Sequence, residues 1–229
     1  MNAAYIEYQS LYKVYKTGNH ELTALSDINF RIEKGEFVII KGRSGAGKST
    51  LLSLTGGLIK PTSGKVIIDG KVINELRNSE LSRMLGSKIG IIFQGFNLLP
   101  SYSIYENIEV ALEPLGYAKS EMESMIMPII EKFNLTDKLD LLPEQLSTGQ
   151  QQKVAIVRTL VKQPEIILAD EPTGSVDTEA AAEILEILSS ACREGKATVI
   201  LATHGNIELP GVSRMVVMNE GKLTDSDSI

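Results

Sequence analysis

With 229 residues, 43% of them hydrophobic and 23% charged, the chain has the composition of a soluble globular protein with room for one large domain or two small ones. Its formal net charge of -6 gives no electrostatic footprint for broad nucleic-acid binding, so no nucleic-acid partner is expected. Cys192 is the only cysteine, no apolar run is long enough to span a bilayer, and the start MNAAYIEYQS lacks the blocks of a secretory signal; no intrachain disulfide is possible, no zinc cluster is implied and a cytoplasmic location is expected.

Along the chain, the first third reads as strands. LYKVYK carries Tyr15, and His20 in KTGNHE reads as a solvated loop residue. ALSDINFRI alternates at Ile28, Phe30 and Ile32, and EFVIIKG is a short apolar run ending in glycine. STLLSLTGGL predicts a helix stopped by Gly56 and Gly57, PTSG a turn, and KVIIDG another strand. From about Ser103 to Lys162 the patterns become helical, in IYENIEVALEPL, EMESMIMPIIEKF and GQQQKVAIVRTLVK. Alternation then returns: strand EIILAD, helix TEAAAEILEILSSACREG, strand ATVILATH and a strand near RMVVMNEG. In that last helix Ile184, Ile187, Leu188 and Ala191 share one face, and Cys192 reads as a small packed helix residue with no further role. The polar end TDSDSI is expected to fray. Strands outside and helices in the middle predict an α/β nucleotide-binding core with an inserted helical subdomain.

GRSGAGKS, Gly42 to Ser49, fits G-x-x-x-x-G-K-[ST] without a mismatch, with an apolar strand before it and a helical pattern after it. Its glycines let successive backbone N–H groups and a helix N-terminus face phosphate. Gly42, Arg43, Ser44, Gly45, Ala46, Gly47, Lys48, Ser49 and Thr50 are therefore the expected phosphate cradle. Lys48 supplies a positive charge to the β/γ-phosphates, and the Ser49 hydroxyl can ligate Mg²⁺. IILADEP adds Asp170 and Glu171 at the carboxyl end of a buried strand, the edge where open α/β sheets hold ligands. Asp170 suits the magnesium shell, and Glu171 suits polarising an attacking water.

The order of these motifs resembles the ATPase subunit of ABC transporters. LSTGQQQKVAIVRTLVKQPEIILADEPTGSVD, Leu146 to Asp177, is similar to that family's signature sequence, Walker B strand and D-loop in one block. The likeness runs from about Tyr5 to Leu223. It implies a P-loop NTPase (RecA-like) core, an N-terminal antiparallel β subdomain and an inserted α-helical signature subdomain. The core is expected over about 1–93 and 164–229, and the helical subdomain over about 94–163.

The resemblance also assigns roles. Tyr15 would stack on adenine; Gln94 would reach Mg²⁺ and the attacking water and hinge the helical subdomain. His204 in LATH would contact the γ-phosphate, and Asp177 would help couple two sites of a dimer. Ser147, Gly149 and Gln150, at the start of the signature helix, would meet ATP held by a second copy in a head-to-tail dimer. Three departures stand out: Thr148 replaces the first glycine of the usual LSGGQ, Lys153 stands where Arg is common, and Gly205 where Asp is common. Thr148 is tolerable if its φ is negative, because a β-branched residue resists positive φ.

FQGFNLLPSYSIYENI resembles the group that includes macrolide-exporter, lipoprotein-releasing and cell-division ATPases, and its Phe96, Leu98 and Leu99 also suit helix packing. The resemblance implies ATP and Mg²⁺ as cofactors. It further implies a separate integral membrane permease as partner and a peripheral place on the cytoplasmic face of the membrane. A soluble ATPase of the iron–sulfur assembly type and the ATPase of an importer are the alternative readings.

Overall fold

The computed structural model of the chain describes residues 4–18, 20–195, 197–205 and 212–225. β1 (Ile6–Thr17) and β2 (His20–Ile32) form a long antiparallel hairpin, so His20 is an exposed strand residue paired with Thr17 rather than a loop residue. β3 (Phe37–Lys41) leads into α1 (Lys48–Thr55), which ends at Gly56. β4 (Ser63–Ile68) and the short β5 (Lys71–Val72) follow, then α2 (Asn78–Ser87) and β6 (Ile89–Ile92). Helical periodicity gave no warning of α2, since Met84 is its one buried residue.

The middle third is helical. α3 (Ile104–Glu109) starts in a capping box, with Ser103 accepting from the Glu106 amide and the Glu106 carboxylate from the Ser103 amide. It is shorter than IYENIEVALEPL suggested: the chain turns after Glu109 and re-forms as a single 3₁₀ turn around Pro114. α4 (Lys119–Lys132) and α5 (Thr148–Leu160) complete this region. The chain then returns through β7 (Ile166–Asp170), α6 (Thr178–Arg193), β8 (Thr198–Thr203), β9 (Arg214–Asn219) and β10 (Lys222–Asp225). Of the tail expected to fray, Thr224 and Asp225 belong to β10 and 226–229 lie outside the described residues.

Among the described residues the strands make two sheets. One is antiparallel, in the order β2-β1-β4-β5. The other has the order β10-β9-β3-β8-β7-β6 and is parallel except where β10 returns along β9. Apolar residues throughout β3, β7 and β8 are what a parallel sheet covered on both faces requires.

The two faces carry separate cores, divided by the two-residue period of the strands. Phe37, Ile39, Ile167, Ala169, Val199 and Leu201 face α3 to α6. Val38, Ile40, Ile166, Leu168, Ile200 and Ala202 face α1 and the antiparallel sheet. Ile184, Ile187 and Leu188 of α6 are buried as expected, with Leu185 and Cys192 beside them. The result is an α/β core whose parallel sheet carries a β layer on one face and the helical region on the other.

Candidate nucleotide site

The loop between β3 and α1 is built from backbone. Gly45 and Gly47 take φ of 77° and 109°, the left-handed region that glycine occupies without strain. A Cβ on Gly47 would stand 2.5 Å from the Ala24 carbonyl oxygen, and one on Gly42 would stand 2.4 Å from that of Met218. Glycine is needed at both for close approach as well as for shape. The Gly42 amide donates to Thr203 O at the end of β8, which fixes the loop's entry to the sheet. Lys48 is buried and donates from Nζ to the carbonyls of Gly42 at 2.8 Å and Arg43 at 3.2 Å.

These groups border a cleft of about 1200 Å³ at the carboxyl ends of β3, β7 and β8. Of the residues singled out in the sequence, Tyr15, Gly42, Arg43, Ser44, Gly45, Gly47, Lys48, Ser49, Thr50, Gln94, Glu171 and His204 line it. Ala46 is buried beneath the loop. Ser147, Gly149, Gln150 and Asp177 lie elsewhere. Met218, Asn219 and Glu220 also form a wall of the cleft, which sequence reasoning missed; Gly221 at the β9–β10 turn was the available signal.

Glu171 sits at the centre of the polar groups. Its Oε2 is 2.8 Å from His204 Nδ1 and its Oε1 is 3.4 Å from Lys48 Nζ. The residue has φ of 49°, a strained value for glutamate, and its amide is tied to Ala202 O at 2.9 Å. One carboxylate is thus held between the cradle's cation and an exposed imidazole.

Asp170 lies just below. One of its carboxylate oxygens, Oδ1, is buried with no hydrogen-bond partner, while the Ser49 hydroxyl bonds the carboxyl group. Burial pushes its pKa up, Ser49 pulls it down, Glu171 pushes it up and Lys48 pulls it down. A free carboxylate oxygen beside a hydroxyl fits a hard, oxygen-seeking divalent cation such as Mg²⁺. Asp170 and Ser49 would hold it, and when bound it would neutralise phosphate charge.

At the cleft's rim Tyr15 is 38% exposed and Leu22, its partner across the hairpin, 66%. Lys13 Nζ lies 4.9 Å from the Tyr15 ring centroid. An exposed aromatic face beside an exposed aliphatic one suits a flat, apolar-faced base.

The signature segment is organised differently. Ser147 N-caps α5, accepting from the Gln150 amide at 3.3 Å, and Gln150 Oε1 accepts from the Ser147 amide at 3.0 Å. Thr148 is the first residue of the helix and is absent from the positive-φ residues, so the β-branched side chain meets no backbone strain. Gly149 has no positive φ, and a Cβ there would be 3.7 Å from that of Ala180, an ordinary contact. Lys153 pairs with Glu183 of α6 at 2.6 Å. Asp177 caps α6 through a bond from the Ala180 amide.

A family model described as "ABC transporter" matches residues 25–174 of the chain. The chain belongs to the ABC transporter family. It is similar to an uncharacterised ABC transporter ATP-binding protein of Thermotoga maritima, 39% identical over 95% of this chain and 93% of that one. It is also similar to the methionine import ATP-binding protein MetN of Coxiella burnetii, 37% identical over 98% of this chain and 64% of MetN. Likeness to the macrolide export ATP-binding/permease protein MacB of Hyphomonas neptunium is 39% over all of this chain but 35% of MacB. The chain therefore spans less than two thirds of either named transporter protein.

Among solved structures, the dimeric bacterial ABC transporter cassette MJ0796 superposes with a TM-score of 0.87 at 37% identity, covering 95% of this chain and 96% of that one. A second MJ0796 dimer, described as a post-hydrolysis state bound to ADP and Pi, gives 0.86 at 35% identity, covering 96% and 98%. The chain is accordingly an ATP-binding ABC ATPase, and its fold is the ABC cassette. Among the described residues no helix is long and apolar enough to cross a membrane.

Proposed function

We propose that two copies of this chain pair head to tail around two ATP molecules, hydrolyse them, and so drive a separate membrane permease. Gly149 is the observation that carries this reading. Nothing within the chain requires a glycine there, by φ or by space, yet it stands beside the helix N-terminus of α5, where an approaching phosphate would need bare backbone. Ser147, Gly149 and Gln150 are not part of the chain's own cleft, so the phosphate they serve is held by a partner. Within each cleft Lys48 would meet the β/γ-phosphates, Glu171 would orient and deprotonate water, and His204 and Gln94 would hold the γ-phosphate side. Asp177 would connect the two sites, and Mg²⁺ would sit at Ser49 and Asp170 with Gln94 alongside. Residues 94–163 would be the helical subdomain and the remainder the catalytic core, with the protein on the cytoplasmic face of the membrane through its permease.

Mixing two inactive variants tests the pairing. Lys48→Ala spoils only the cradle and Gly149→Val only the signature. In a mixed dimer one site receives both lesions and the other receives neither. ATPase activity should reappear on mixing, to roughly a quarter of the unmodified rate if subunits pair at random and sites act independently. No recovery in a dimer shown to be mixed would count against pairing across the interface.

As to the permease, we infer the mechanical-exporter or lipoprotein-release type from FQGFNLLP followed by ENI. The likeness to MetN supports an importer reading instead. The co-purifying membrane protein decides: four spans with a large loop between the first two supports export, and a many-span permease serving a secreted binding protein supports import.

A further inference from the structure

Arg158 lies near the C-terminal end of α5, partly buried. Its guanidinium donates from Nη1 to Asn97 O at 2.7 Å and from Nη2 to Phe96 O at 2.9 Å. Successive carbonyls of an extended chain point to opposite sides, so one planar fork can hold both only where the backbone turns. Asn97 makes that turn, with φ of 49° in a region asparagine tolerates better than most residues. Burial pushes the guanidinium's pKa down, so keeping the charge here costs free energy that the two carbonyl bonds must offset.

The same end of the helix also grips β6. Thr159 Oγ1 donates to Ala155 O at 2.9 Å and lies 3.3 Å from Ile91 O, and Lys162 Nζ, just beyond α5, donates to Ile89 O at 2.7 Å. Backbone carbonyls are therefore held to this one segment both before Gln94 and after it. Gln94 occupies the interval between the two grips. At the opposite end of α5 stand Ser147 and Gly149.

We propose that Arg158 is a positioning residue for ATP hydrolysis: it fixes the loop after Gln94 to the signature helix. Gln94 at one nucleotide and Ser147 with Gly149 at the other then move as one body. The proposal rests on the head-to-tail reading above. It makes the clamp a route by which occupation of one site alters donor geometry at the other. It also gives Asn97 a purpose: the left-handed turn presents both carbonyls to the fork.

The test uses the full chain and follows hydrogen exchange across 94–103 beside ATPase kinetics. Arg158→Ala should speed amide exchange in that segment by about tenfold or more. It should lower kcat by about tenfold while leaving KM for ATP within about twofold, since the phosphate cradle is on other elements. Arg158→Lys, a point charge without the planar fork, should fall between. Asn97→Gly keeps the turn and should behave as the unmodified chain, whereas Asn97→Val resists it and should reproduce Arg158→Ala. Unchanged kcat and exchange in Arg158→Ala overturns the proposal, and so does equal damage from Asn97→Gly and Asn97→Val. If Arg158→Ala does not fold, the exposed Asn97 pair decides alone. Failure of the mixing experiment, with exchange still responding to Arg158, would remove the dimer reading and the cross-site coupling, leaving a clamp within one chain.

Discussion

On the reading proposed above, the cleft and the signature end of α5 both serve phosphate, yet they are built in opposite ways. In the cleft, glycines are forced by the chain itself: Gly42 and Gly47 have carbonyls where a Cβ would go. Lys48 is buried there, Glu171 is partly buried, and both are tied to neighbours. At the signature, Ser147 is exposed and Gly149 is under no internal constraint. A residue demanded by its own fold says little about partners. Gly149 is under no such demand, and it stands at a helix N-terminus, which is what makes it a candidate for an outside contact.

Experiments can break this contrast in order of expected effect. Glu171→Gln removes the proton acceptor of the cleft while keeping its shape, and should lower kcat by about 10²- to 10⁴-fold. With ATP, that variant should accumulate as a dimer by sizing or light scattering, which exposes the signature's role because hydrolysis no longer separates the copies. Tyr15→Ala strips one face of the base site. It should raise KM for ATP by about fivefold, matching the 0.5–1.5 kcal/mol of an aromatic stacking contact, with kcat little changed.

Glu165 tests the far edge of the same sheet, away from both regions. It accepts from the Tyr5 hydroxyl at 2.8 Å and pairs with Lys34 and Lys88. The Tyr5 hydrogen bond, ahead of the two lysines, holds its pKa down to about 2 against burial. Its folded pKa lies below the unfolded one, so its contribution is present above the unfolded carboxylate value and is lost as pH falls toward 2. Glu165→Gln should therefore melt earlier than the unmodified chain at neutral pH, and the gap should close on acidification. ATPase activity at neutral pH should not change. The smallest effect is reserved for Thr148→Gly: with Thr148 already helical, dimerisation and kcat should move by less than about twofold.

How much of this was visible in the residues alone varies by physical cause. The cradle was legible because its chemistry is local: the spacing from Gly42 to Ser49 states both the turn and the helix that follows. The burial of β3 and β7 was legible from the runs FVIIK and IILAD, apolar through their first four residues. The partner-facing role proposed for the signature came from resemblance, since periodicity shows only an amphipathic helix. His20 was misplaced because a polar loop and the polar tip of a long hairpin have the same composition. Arg158 was silent for a different reason. Its partners are carbonyls of Phe96 and Asn97, and a backbone carbonyl carries no side-chain signature in sequence.

The close packing around Ala24 has a consequence for synthesis. Its carbonyl oxygen lies where a Cβ on Gly47 or on Gly221 would sit, at 2.5 Å and 2.7 Å. The Gly221 amide donates to Ala46 O at 3.0 Å, and its carbonyl accepts from Ser26 at 2.8 Å. A loop written near position 45 is thus braced by a turn written near position 220. On the ribosome, the loop from Gly42 to Ser49 emerges early, whereas the turn that braces it follows only once almost the whole described chain is out.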